Sequence, residues 1–541
     1  MTARTHSRST RRAALATLLS SSVLLSACSS SDTGGSSGGD SASARSGGTL
    51  TFAVGSDAGC VDPQQVGSND TIYSLRQVVD SLTDQDPKTG KIVPWLAKSW
   101  DISADTTTFT FHLRSGVTFS DGTELTAQVV KDNFDAVPEL GALGTLAQGY
   151  LSGVESTTVV DPLTVRVRFK QPNAQFLQAT ATHSLGIESS ASVKKSPQEK
   201  CSDGVVGSGP FVLKNYVQNQ SITLAKRAGY AWGSSLWSKK GEAYLDKLVF
   251  NVVPEAGVRT GSLQSGQVDA IGSVGKANEA ALSGGQANLQ RRANPGVVFN
   301  LGLNNSRPAL KDVKVRQAVQ YAVDRQQIVD AVFPTDTEPA TSILARTTPD
   351  YADLGSELTT DAAKAKSLLD SAGWKAGSDG IRVKDGKKLS LTVVWIPNSA
   401  TNQPALELIQ QQLKAVGIAL VLKQIPITQL APTLQSGDFD VAWGNLTRAD
   451  PDILRSQYST GLANFYHLPA SGLDTVLNQQ AATTDAAKRK ELVGQAQQLI
   501  VRNAYVVPVV ELQTQLGVAK KVHDLAFDAS SRIQLHDTWI G

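Results

Sequence analysis

Apolar residues recur along this chain with two periods. From Thr107 to Leu113 they alternate, which puts Phe109, Phe111 and Leu113 on one face and predicts a half-buried strand. Thr49 to Val54 also reads as a strand, followed by a turn at Cys60-Val61-Asp62-Pro63 and a helix from Asn69 to Thr83. After the turn Ser120-Asp121-Gly122, Thr126 caps a helix through Val129, Val130 and Phe134. Asn300 to Asn304 is a strand and turn. Asp312 then caps a helix with apolar positions Val315, Ala318, Val319, Ala322 and Val323, an amphipathic spacing. A second such helix runs from Asp361 through Ala365, Leu368 and Leu369 to Gly373-Trp374. A third starts at Pro404, buries Leu406, Ile409, Leu413 and Val416, and stops at Gly417 before a strand at Ile418 to Leu422. Asp485 to Ala504 is the last long helix. Val506 to Val510 is a strand expected to return to the first domain. Helices alternating with short apolar strands predict an α/β fold.

The N-terminus has its own pattern. Arg4, Arg8, Arg11 and Arg12 precede an apolar run from Ala13 to Leu25 and no acid accompanies them. That is a signal-peptide layout, too short for a permanent membrane span. Leu25-Ser26-Ala27-Cys28 resembles the bacterial lipobox, which implies export and lipidation at Cys28. A lipidated terminus with two or more acyl chains tethers a protein to the outer face of a membrane. An ordinary secretory signal with a chance Cys is the alternative. Export excludes most ATP-, NAD- and DNA-dependent roles. Residues 1–27 are therefore taken as the signal segment, and the Ser/Gly-rich residues 28–47 as a flexible tether. Two Gly-x-Ser-x-Gly matches, starting at Gly34 and Gly35, fall inside that tether, where no strand-turn-helix can form a nucleophile elbow.

Composition adds bounds. The chain has 541 residues, 40% hydrophobic and 18% charged, with net charge +2. That is enough for two or three globular domains, and no basic block points to nucleic acid. Of three cysteines, Cys28 is claimed by the lipobox, which leaves Cys60 and Cys201. An exported chain with two remaining cysteines favours a disulfide; two buried free thiols are the other possibility.

The run Pro94 to Trp100, then Phe109-Thr110-Phe111-His112-Leu113-Arg114-Ser115-Gly116-Val117 and Phe119-Ser120-Asp121-Gly122, resembles the signature region of the family-5 solute-binding proteins. These are receptors of oligopeptide, dipeptide and nickel ABC importers. Gly207-Ser208-Gly209-Pro210-Phe211 is similar to the family's Gly-rich turn, and Leu263 to Ala270 to its helix end and strand start. Asp312-Val313-Lys314-Val315-Arg316-Gln317-Ala318 with Tyr321-Ala322-Val323-Asp324-Arg325 is the most specific match. The resemblance implies a type II periplasmic-binding fold: two lobes joined by a hinge, plus an inserted extra domain. Carried over, lobe I is 48–84, 205–298 and 508–541, domain II is 85–204, and lobe III is 299–507. It implies a monomeric receptor that captures a peptide or other small polar solute. The receptor hands it to permease subunits driven by a separate ATPase. A sensor or surface interaction module of the same fold is the alternative role.

Enzyme chemistry finds no support. Gly90-Lys91, Gly275-Lys276 and Gly386-Lys387 lack the Ser or Thr of a phosphate loop, and the histidines show no ligand spacing. No cofactor and no metal are expected. Binding must come from the cleft. Phe439 to Trp443 reads as a strand and Gly444 to Asp452 as the loop after it, where α/β sheets hold ligand. In peptide-binding relatives an Asp shortly before an Asp-Pro pair accepts the ligand's ammonium. Aligned on Asp450-Pro451, that place is held by Thr447, which cannot supply a charge-assisted bond worth about 1.5–3 kcal/mol. Arg448 beside it offers a fork for a carboxylate or phosphate, or else pairs with Asp450 or Asp452. Trp443, Asn445, Thr447, Arg448, Asp450, Asn69, Tyr73 and Trp395 are the candidate ligand residues. A free ammonium would need another acid, Asp450 or Asp70; without one, a blocked, anionic or neutral solute fits better.

Overall fold

A computed structural model describes residues 44–541, apart from 283, 284, 286 and 398. The signal segment, Cys28 and the tether up to Ser43 lie outside the described residues.

Three sheets carry the architecture. A seven-stranded sheet runs in the order 287–293, 513–519, 270–271, 49–54, 247–252, 221–226, 211–217. Strand Thr49–Val54 lies inside it, parallel to both Lys247–Val252 and Ala270–Ile271. It is buried on both faces: Leu50, Phe52 and Val54 join one core cluster and Ala53 another. That is the apolar continuity interior parallel strands need. A five-stranded sheet runs 419–424, 390–395, 441–447, 296–303, 506–510. Its largest core cluster holds Val315, Val319, Ala365, Leu369, Leu406, Ile409 and Leu413, the stripes of three amphipathic helices. A four-stranded antiparallel sheet, 97–102, 108–113, 164–169, 154–161, buries Phe109, Phe111 and Leu113 completely.

Local signals hold where they are local. Thr126, Asp312, Asp361 and Asp485 each cap the helix that follows them, accepting from the N–H of Val129, Lys314, Lys364 and Lys488. Two charges of the Asp312–Arg325 stretch, Arg316 and Arg325, prove structural. Arg316 donates to the carbonyls of Leu310, Lys311 and Asn503, and Arg325 to those of Gln320, Val323, Leu358 and Pro508. Cys60 and Cys201 are joined, with their Cα atoms 4.0 Å apart.

Three elements differ from expectation. The helix expected over Asn69 to Thr83 ends at Leu75. There the glycine-rich segment takes over the backbone: Gly209 N–H donates to Val78 O (2.9 Å) and Phe211 N–H to Gln77 O (3.1 Å). A Cβ at Gly207 would lie 2.0 Å from Val78 O, so close approach explains that glycine without a phosphate. The strand expected at Phe439 to Trp443 runs instead over Val441–Thr447, because pairing with Gly296–Leu303 extends it. The strand Val506–Val510 does not return to the first domain. It completes the five-stranded sheet against Gly296–Leu303, and the chain crosses back at Glu511 and Leu512. Pro508 suits that edge position.

Glu511 makes this crossing pH-sensitive. Burial raises its carboxyl from the ordinary 4.5 to about 7; the Arg346 N–H and charge oppose this, and Glu338 adds to it. Glu338 also takes the Arg346 guanidinium, leaving Glu511 Oε1 3.9 Å from it. The native state therefore binds more protons than the unfolded chain between pH 4.5 and 7, so stability falls as pH rises through this window. The full effect is about 3 kcal/mol. Urea unfolding of wild type and Glu511→Gln at pH 5 and 8 checks it. The variant should lose less on going to pH 8, and equal losses would refute the assignment.

Candidate functional site

Topology places two sheet edges opposite each other. In the seven-stranded sheet the parallel strands end at Val54, Val252 and Ile271. At the same edge Ala293 pairs with Gln513, and there the chain leaves through 294–295 and returns through 511–512. In the five-stranded sheet the parallel strands end at Trp395, Gln424 and Thr447. Gly296 pairs with Thr447, and Val510 with Phe299, so both crossings attach at that edge too. The carboxyl ends of both sheets thus meet at the two crossings, the usual ligand position in α/β sheets.

The first wall is built on helix Asn69–Leu75. Asp70 Oδ2 accepts from Gly55 N–H (3.1 Å) and Ser56 Oγ (2.9 Å), which fixes the helix to the end of strand Thr49–Val54. Burial raises the Asp70 carboxyl; the Ser56 hydroxyl and the Arg259 charge oppose it. Arg259 gathers the neighbouring strand ends, donating to Val253, Pro254, Gly272 and Ser273 carbonyls. Tyr73 follows Asp70 by three residues, on the same helix face. Its ring packs on Phe52 at 5.8 Å, and burial, then the Asp70 charge, raises its hydroxyl, with Thr514 and Arg532 opposing. Asn69 opens the helix, half-buried.

The second wall is mixed. Trp443 is core: Nε1 donates to Asn402 Oδ1 (3.0 Å) and the ring stacks on Phe299 at 5.4 Å. Trp395 ends its strand buried, and its Nε1 meets no acceptor among the described residues. Asn445 is exposed and Thr447 half-buried, both on strand Val441–Thr447 rather than in a loop. A Cβ at Gly296 would lie 2.1 Å from Leu446 O, so this pairing requires glycine there.

Arg448 and Asp450 turn to other work. The Arg448 guanidinium sits 4.2 Å from the Tyr150 ring centre, and Nη1 donates to Ser456 Oγ (2.9 Å). Tyr150 belongs to helix Thr145–Leu151, which packs with the four-stranded sheet, so this contact ties two sheets together. Arg448 does not pair with either nearby acid. Asp450 is held by Arg489 at 2.6 and 3.1 Å, and Asp452 by Arg455 at 2.8 Å twice. Asp450 is therefore spoken for, while Asp70 remains at the cleft edge. Arg259 and Thr514 were not foreseen; no sequence signal brings them together, since their partners come from separate strands. Among the described residues no group of three or more His, Cys, Asp or Glu could hold a metal ion. No helix among them is long and apolar enough to cross a membrane.

Known proteins resemble this chain in sequence and in fold. Residues 91–464 match the model of bacterial extracellular solute-binding proteins, family 5 Middle. The glutathione-binding protein GsiB of Escherichia coli (strain K12) is 27% identical over 478 residues, 85% of this chain and 88% of the relative. The fold matches the DppA structure from Helicobacter pylori in complex with peptide STSA, at TM-score 0.79 and 23% identity, covering 92% of this chain and 98% of that one. It also matches NikA from Brucella suis in complex with Fe(III)-EDTA, at TM-score 0.78 and 24% identity, covering 91% and 100%. With a family model spanning most of its length, the chain belongs to the family-5 bacterial extracellular solute-binding proteins.

Proposed function

We propose that this chain is the receptor of an ABC importer and captures a peptide-like solute between its two facing sheet edges. The seven-stranded sheet forms lobe I, the five-stranded sheet lobe III, and the four-stranded sheet the inserted domain. The solute passes to permease subunits driven by a separate ATPase, and the receptor itself catalyses nothing. The lipobox reading adds a lipid anchor at Cys28, and the receptor works as a monomer outside the cell membrane. Support comes from the named solutes of its relatives, glutathione and a peptide among them.

The observation that carries the solute reading is the state of the two acids. Asp450 is occupied by Arg489, whereas Asp70, held at the carboxyl end of strand Thr49–Val54 by Gly55 and Ser56, forms no ion pair among the described residues and has a single guanidinium, that of Arg259, acting on it. The ammonium of a solute is therefore read by lobe I at Asp70, not at the position of Thr447. A charge-assisted bond of this kind is worth about 1.5–3 kcal/mol. Calorimetry with a tripeptide and its N-acetylated form, against wild type and Asp70→Asn, tests this. Acetylation should weaken binding to wild type about tenfold or more, and hardly affect the variant. Equal affinities of wild type for both forms would sink the assignment.

A further inference from the structure

One buried cation on the lobe I wall forms no ion pair among the described residues. Arg532 is 5% exposed, and its Nε meets no acceptor among the described residues. Among the described residues its guanidinium forms no ion pair and donates no hydrogen bond. Arg325 and Arg259 each reach four carbonyls, and Arg76 and Arg448, whose Nε atoms also lack an acceptor, still donate through their Nη groups to Ser81 Oγ (2.8 Å) and Ser456 Oγ (2.9 Å). The backbone around Arg532 is held firmly. Its N–H donates to Asp528 Oδ1 (2.9 Å), and Asp528 N–H donates to its carbonyl (2.7 Å). Ser531 Oγ accepts from Arg292 Nε (3.1 Å), at the end of strand Ala287–Ala293. Ile533 O accepts from Gln77 Nε2 (2.9 Å), just past helix Asn69–Leu75. The guanidinium is thus anchored beside the carboxyl edge. It lies near enough to Tyr73 and His183 to act on both, and Asp70 acts on Tyr73 as well. His183 is kept neutral by burial, so it adds no second cation. Asp528, the nearest acid in sequence, also acts on Tyr73; its Oδ1 accepts from the N–H groups of Ser530 and Arg532, and it forms no ion pair with the Arg532 guanidinium.

Burying a guanidinium without an anion is costly, and a receptor offsets that cost when its ligand supplies the anion. We propose that Arg532 receives a carboxylate of the solute, so that the solute carries an anion at Arg532 and an ammonium at Asp70. This rests on the peptide-like reading above. The planar fork of Arg matches a carboxylate, and both charges lie close enough to Tyr73 to act on its hydroxyl. A free-acid peptide, or any solute with an amino-acid-like zwitterion, satisfies both groups. An amidated solute leaves Arg532 unpaired.

The probe is a mixture of tri- and tetrapeptides as free acids, and the same mixture with amidated C-termini. Each is dialysed against wild type, Arg532→Gln and Arg532→Lys, and the retained peptides are counted by mass spectrometry. Wild type should retain free acids about 10–100-fold better than amides. Arg532→Gln should retain both forms alike, and Arg532→Lys should keep part of the preference. The melting temperature of ligand-free Arg532→Gln supplies a second readout. It should equal or exceed that of wild type, because an unpaired charge is removed; a clear fall would mark a structural ion pair and overturn the proposal. Wild type retaining both forms alike overturns the carboxylate assignment and leaves the peptide reading standing. Wild type retaining neither form overturns both.

Discussion

Replacing Cys60 and Cys201 by Ser is expected to lower stability by about 4–5 kcal/mol. The bond spans 141 residues of sequence. That loop holds the whole four-stranded sheet and the helices packed on it. Closing so long a loop removes much of the unfolded chain's freedom, and the native ends are already in place: Val61 N–H donates to Cys201 O (3.0 Å). Cys60 itself packs in the core cluster of the seven-stranded sheet. The measurement is urea unfolding of the oxidised protein and of the double Ser variant. Where the sheets unfold in separate stages, the stage reported by buried Trp95, in the four-stranded core, should move most. Coincident curves would show that the bond constrains nothing.

The sequence was readable wherever the cause was local. A cap needs only its own side chain and the next turn, so Asp312, Asp361 and Asp485 stood out and behave as expected. Alternation needs only one strand, so the buried face of Phe109, Phe111 and Leu113 was visible. Distant partners were not. The helix after Asn69 stops because Gly207 to Phe211 takes its backbone, more than 120 residues later. The length of strand Val441–Thr447 is set by Gly296–Leu303. The last strand, Val506–Val510, carries an apolar pattern that says buried but not in which sheet.

The site follows the same rule. Alignment on Asp450-Pro451 picked out Thr447, which ends a parallel strand where the chain crosses between the sheets. It could not show that Arg489 would claim Asp450, or that Arg448 would stack on Tyr150, which lies about 300 residues earlier. Long charged side chains choose partners by tertiary position. Only the fold separates a structural arginine such as Arg325 from an unpaired one such as Arg532.

Lys200→Met is expected to cost about 3–5 kcal/mol at neutral pH. Lys200 lies beside the disulfide, fully enclosed, with Nζ 3.1 Å from Asp62 Oδ2 and 3.4 Å from Glu188 Oε2. Both acids are completely buried. Asp62 also accepts from Gln64 N–H (2.8 Å) and Gln65 Nε2 (2.7 Å), while Glu188 Oε1 meets no partner among the described residues. Two acids share one cation, so burial first, and the Asp62 charge second, push the Glu188 carboxyl well above its usual range. A proton on Glu188 leaves one neutral Asp62–Lys200 pair. Removing the cation leaves the Asp62 charge in the interior with nothing to balance it. Methionine fills the space but cannot neutralise it, so the loss exceeds that of a surface pair. The sign with pH follows. A proton can replace the missing cation, so the variant binds more protons folded than unfolded and loses stability as pH rises. Its deficit against wild type should therefore be smaller at pH 5 than at pH 8. The double variant Lys200→Met with Asp62→Asn removes both charges and should recover most of the loss. Urea unfolding of the three proteins at the two pH values decides the matter. A deficit that grows toward pH 5, or a double variant weaker than the single one, would show that Lys200 holds this junction by packing rather than by charge.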